Sequence, residues 1–180
     1  MLFTLTLLTS FSIGLKAQVE FAPVGATWHY EYQPDVFQFD LREYWKVTVE
    51  SEVQVGGETG KQLIIEARDQ YLGQWTDTLL LWQDGQQVFF HEQDSFYLLY
   101  DFSLETGETL EVNIPDIRYY DNPSVCGDFP HEPISMLVDS TGTLEVNGEL
   151  RKIQFLEYLN FPGAFFDFRG PVIEGIGSFH

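Results

Sequence analysis

From Trp45 the odd positions Trp45, Val47, Val49, Ser51, Val53 and Val55 alternate with Tyr44, Lys46, Thr48, Glu50, Glu52 and Gln54. Successive side chains of a strand point to opposite faces, so this period of two predicts a strand with one dry and one wet face. The run breaks at Gly56-Gly57-Glu58-Thr59-Gly60 and returns through Leu63, Ile64 and Ile65, which predicts a hairpin with a glycine-rich turn. The same grammar recurs down the chain. Leu79, Leu80, Leu81 and Trp82 stop at Asp84-Gly85, and Val88, Phe89 and Phe90 follow. An Asp-Gly pair between apolar runs favours a type I′ turn, because both residues tolerate positive φ. A polar step at Glu92-Gln93-Asp94 leads into Phe96-Tyr97-Leu98-Leu99-Tyr100, and Gly107 precedes Thr109-Leu110-Glu111-Val112. Met136, Val138, Ser140, Gly142, Leu144 and Val146 alternate with polar partners before Asn147-Gly148 turns the chain. Ile153, Leu156 and Leu159 would also suit a helix, but the adjoining Asn-Gly selects a returning strand.

No long segment carries a helical period with caps at both ends. The expectation is an all-β antiparallel meander of about nine or ten strands over residues 26–179, a number that must curl into a barrel-like form or split into a two-sheet sandwich. Two segments break the alternation: residues 33–41, and the proline-marked stretch 115–133 with Pro115, Pro123, Pro130 and Pro133. Connections of that length in compact domains are either functional or mobile. The chain shows no domain boundary, fixed-period repeat or low-complexity tract.

The first seventeen residues stand apart. Leu2, Phe3, Leu5, Leu7, Leu8, Phe11, Ile13 and Leu15 form an apolar run that ends at Lys16-Ala17 before Gln18-Val19-Glu20. This is the pattern of a signal peptide with cleavage between Ala17 and Gln18, although no Lys or Arg stands between Met1 and the apolar run. The run is shorter than the roughly 20 residues of a transmembrane helix. Residues 18–180 then form a single β-rich domain that needs no membrane span. The lone Cys126 has no partner for an internal disulfide.

Charge narrows the function. Nine Lys and Arg against 28 Asp and Glu give a net charge of −19. Such a chain does not suit nucleic acid, whose binding neutralises phosphates with basic side chains, nor an anionic membrane surface. Catalytic signatures are missing: Gly175-Ile176-Gly177-Ser178 is not a nucleophile elbow, and His91-Glu92 and His131-Glu132 lack the second His of a zinc-protease helix. His29, His91, His131 and His180 show no metal-ligand spacing. Acidic pairs are so abundant that a hydrolase using two carboxylates remains the alternative reading. Asp116, Asp121, Asn122 and Asp128 offer clustered oxygens to a calcium ion, without the Asp-x-Asp-x-Asp-Gly spacing, and no other cofactor is expected. Trp28, Tyr30 and Tyr32 alternate on one strand face and Trp75 and Trp82 flank another, so these five aromatics are the candidate ligand-binding set; core filling is the competing use of such rings.

Several stretches together carry a resemblance: Leu15-Lys16-Ala17-Gln18, then Pro23-Val24-Gly25-Ala26-Thr27-Trp28, Tyr97-Leu98-Leu99-Tyr100-Asp101-Phe102 with Gly107-Glu108-Thr109-Leu110, and Ile173-Glu174-Gly175-Ile176-Gly177-Ser178. In this order the chain resembles exported, β-rich proteins that carry a C-terminal sorting domain for type IX secretion. The resemblance implies a secreted or cell-surface location and no particular activity. It also implies that sequence continues past Phe179-His180 into the sorting domain, so that the β-domain is truncated here. The expected function is a non-catalytic binding or adhesion module with a glycan or surface partner.

Overall fold

Alternation becomes eleven antiparallel strands in the computed structural model, which describes residues 19–32, 43–69, 73–113, 133–160 and 170–178. The first sheet holds β1 (Thr27–Tyr32), β2 (Glu43–Val55), β3 (Glu58–Asp69), β4 (Gly73–Asp84), β5 (Gln87–Glu92) and β6 (Ser95–Asp101), in chain order. The second holds β7 (Thr109–Val112), β8 (Ile134–Val146), β9 (Glu149–Tyr158), β10 (Gly170–Ile173) and β11 (Gly177–Ser178), also in chain order. The all-β class is as expected. The single meander of nine or ten strands is not: the chain makes two successive meanders and passes from one sheet to the other after β6. The reason is burial, because a sheet with one apolar face needs a second layer to cover it. Val49, Leu63, Leu81, Val88 and Phe90 of the first sheet share one buried cluster with Leu110, Val112, Ile134, Met136, Val138, Leu156 and Val172 of the second.

The two longest strands each change face midway. The β2–β3 register shifts between Val49 and Ser51, so Val49 pairs Leu63 while Glu52 pairs Lys61 and Val55 pairs Glu58. Val47 and Val49 therefore face the second sheet, and Val53 and Val55 face away from it. The unbroken odd-numbered dry face read from the sequence is corrected by this bulge, which inserts one residue and reverses every side chain beyond it. β8 does the same between Val138 and Ser140. Met136 and Val138 are buried, whereas Leu144 beyond the bulge is 42% exposed. The β2–β3 tip reaches back across the first sheet, where a Cβ on Gly56 would come within 2.7 Å of the Phe96 ring.

Side chains of β9 secure the passage between sheets. The amide of Gln154, 2% exposed, donates to the carbonyls of Asp101 and Leu104 at 3.0 and 2.9 Å. Lys152 Nζ adds bonds to the Leu104 carbonyl and the Glu105 carboxylate, both at 2.7 Å, and the latter holds Glu105 below the usual carboxylate range. Asp101, also buried, accepts from Gln87 and from the amide and hydroxyl of Ser103. An N-terminal clasp also joins both sheets. The Gln83 side chain accepts from Phe21 N and donates to the Val19 carbonyl, both at 2.8 Å, while Ala22 N donates to the Gly175 carbonyl at 3.3 Å. Phe21 lies against Tyr100 and Phe102, with ring centroids 5.6 and 6.4 Å away.

Turn chemistry follows backbone dihedrals. Gly56-Gly57 and Asn147-Gly148 both have two positive-φ residues, as type I′ requires. At Asp84-Gly85 the expected type I′ turn is replaced. Asp84 pairs Gln87 as the last residue of its strand, the loop is Gly85-Gln86, and of these two only Gly85 has positive φ. That is the type II′ pattern, with glycine first. Gln93-Asp94 adopts positive φ at both positions without a glycine, at 48° and 61°. Left-handed backbone costs an ordinary residue about 1 kcal/mol. Replacing Gln93 with Gly should therefore stabilise by about 1 kcal/mol, and Gly148→Val should destabilise by about 1 kcal/mol or more. Urea unfolding of the two variants checks this; a loss from Gln93→Gly, or a neutral Gly148→Val, would contradict the turn geometry.

Candidate functional site

The face of the first sheet turned away from the core is polar at one end and apolar at the other. At the polar end register brings side chains from four strands into rows. His29 pairs Lys46, which pairs Glu66, which pairs Thr76; beside them Glu31 pairs Tyr44, which pairs Arg68, which pairs Gln74. Paired residues of neighbouring strands share a face, so these eight project together. All of them but Glu31 line a hollow of about 310 Å³, formed by His29, Tyr44, Lys46, Glu66, Arg68, Gln74 and Thr76 with the intervening Tyr30, Trp45, Ala67 and Trp75.

Lys46 Nζ lies 2.6 Å from Glu66 Oε2, with both side chains about half exposed. A pair so open to water contributes at most about 1 kcal/mol and chiefly fixes the two side chains in place. The Tyr44 hydroxyl donates to Glu31 at 3.4 Å, yet the residue remains 48% exposed, a large ring left at the surface. Arg68 is exposed and has no ion pair among the described residues. The other basic residues described are engaged: Lys61 with Glu20 and Glu52, Arg151 with Glu149, Lys152 with Glu105. The hollow thus presents an aromatic face, a guanidinium, an amide, a hydroxyl and an imidazole.

The apolar end of the same face holds Trp82, whose ring lies 5.1 Å from Phe89 and 5.0 Å from Phe96, with His91 edge-on to Phe96 at 4.9 Å. The candidate aromatics from the sequence are thereby split between two faces. Trp28 packs against the shared core. Tyr30 pairs Trp45 on that inner side, and burial raises its phenol above the usual range. Trp75 meets Trp45 edge-on at 5.4 Å on the same side. Trp82 alone of the four lies on the outer face. Tyr32 ends β1, but its side chain lies outside the described residues, as do Asp116, Asp121, Asn122 and Asp128, the Ala17–Gln18 junction and Cys126. Among the described residues no three His, Cys, Asp or Glu side chains are grouped to hold a metal ion, and no helix is long and apolar enough to cross a membrane.

Tyr44, Arg68, Gln74 and His29 were not singled out by sequence. One signal existed. Tyr44 is a large aromatic in the wet phase of the alternation, where lysine, threonine and glutamate otherwise stand. No known family model, curated protein or solved structure matches the chain.

Beneath the sheet, Tyr100 packs partly buried against the shared core, and its hydroxyl accepts from Ser178 N at 3.3 Å. Burial drives this phenol far above its usual range; the Ser178 bond opposes that and nearby Tyr30 adds to it. A phenol with a raised folded pKa stays protonated where the unfolded chain ionises, so its contribution to stability is full below about pH 10 and is lost as pH rises further. Melting temperature should therefore fall above about pH 10, and Tyr100→Phe should flatten that alkaline limb. Parallel limbs for the two proteins would contradict the assignment.

Proposed function

We propose that the chain is an exported, non-catalytic binding module whose ligand is a glycan, taken up in the hollow on the outer face of β1–β4. The observation that carries this reading is Tyr44, a half-exposed ring set among Arg68, Gln74, His29 and Thr76. Sugars offer apolar C–H faces that lie on aromatic rings, and hydroxyls that exchange hydrogen bonds with amide, guanidinium and hydroxyl groups. The volume falls at the lower limit of the roughly 300–1,000 Å³ typical of small-ligand sites, which suits one or two sugar rings.

Removal of residues 1–17 at Ala17–Gln18 and passage to the cell surface or medium by a type IX route belong to the same proposal, supported by the apolar leader and the motif order. The alternative hydrolase needs two carboxylates, one kept protonated as the acid. Among the residues that line the hollow Glu66 is the one carboxylate, and Lys46 holds it. A glycan panel followed by calorimetry tests the reading. Intact exported protein starting at Gln18 should bind, and Tyr44→Ala should weaken binding by about ten-fold or more, as loss of a stacking ring does. Binding unaffected by Tyr44→Ala would refute the site, and glycan turnover would move the protein to the hydrolase class.

A further inference from the structure

We propose that the glycan is acidic, carrying a carboxylate such as that of a uronic acid, and that Arg68 receives this group; the inference rests on the glycan reading above. Three observations lead here. In a chain of net charge −19, with only nine basic residues, two of them, Lys46 and Arg68, project into one hollow with His29. Lys46 is already engaged by Glu66, whereas Arg68 has no carboxylate among the described residues. Arg68 also stands between Tyr44 and Gln74 in the cross-strand row, so a sugar lying on the Tyr44 ring would place its substituents over the guanidinium.

The planar guanidinium matches a carboxylate through two parallel hydrogen bonds, a match that a neutral hydroxymethyl group cannot make. Net charge limits the ligand from the other side. Long-range repulsion from the acidic surface disfavours a dense polyanion, but at physiological salt charges beyond about 8 Å are largely screened. A short oligosaccharide with an isolated carboxylate satisfies both conditions. Gln74, Thr76 and His29 are left for its hydroxyls.

The test compares a uronate disaccharide with its methyl ester, which keeps the sugar and removes the charge, using calorimetry at physiological salt. The acid should bind about ten-fold or more tightly than the ester, the usual advantage of a charge-assisted bidentate contact. Arg68→Gln should bind both equally and weakly, and Arg68→Lys should keep part of the preference; unchanged circular dichroism and melting would show that both variants fold. Equal binding of acid and ester by the unaltered protein would overturn this inference while leaving the glycan reading intact. A preference that survives Arg68→Gln would overturn the role of Arg68. Failure of the acid, the ester and neutral glycans alike would overturn both.

Discussion

Where the chain leaves the first sheet for the second, the carbonyls of Asp101 and Leu104 accept hydrogens from one buried amide, that of Gln154. Two sheets that share a core must be joined somewhere, and the joining backbone loses the strand partners that satisfy its polar groups elsewhere. A buried carbonyl without a donor costs about 1–3 kcal/mol. Gln154 removes that cost from the interior side, on the strand that also contributes Leu156 to the core. Lys152, two residues earlier on the same face, repeats the contact at the rim. The shared core and the polar clamp are thus one arrangement: apolar side chains draw the layers together, and the clamp sets where the chain passes between them.

The outer hollow follows from that arrangement. Once Val47, Val49, Leu63 and Leu81 are committed to the core, the alternate residues of β1–β4 must face outward. His29, Lys46, Glu66 and Thr76 fall into one row, and Glu31, Tyr44, Arg68 and Gln74 into the next. The bulge between Val49 and Ser51 then turns Val53 and Val55 to the same outer face, where the hairpin tip meets Phe96. One face of one sheet therefore has an apolar end that is packed and a polar end that is open.

Much of this was legible in the alternation. The strands from Trp45 to Val55 and from Met136 to Val146, and the turns at Gly56-Gly57 and Asn147-Gly148, are written in period two and in glycine and asparagine. Three things were not. A bulge leaves no mark on the alternation, so the reversal at Val53 and at Leu144 could not be read. The Gln93-Asp94 turn lacks the glycine that usually announces a pair of positive-φ positions. The choice of two sheets over a barrel-like form depends on which face finds a partner, a long-range matter decided after β6. The site was hidden for a related reason: His29, Tyr44, Arg68 and Gln74 lie on four strands and meet only through register. Trp28 and Tyr30 drew attention by size, and size took them to the interior.

The clamp is most directly tested by Gln154→Leu, which keeps similar volume and removes both amide bonds. Urea unfolding of the full chain should show a loss of about 2 kcal/mol with an unchanged slope, since the Asp101 carbonyl then lacks its donor and the Leu104 carbonyl keeps only Lys152. If apolar burial alone fixed the passage between sheets, the added hydrocarbon would leave stability unchanged or raise it, and that result would contradict the account.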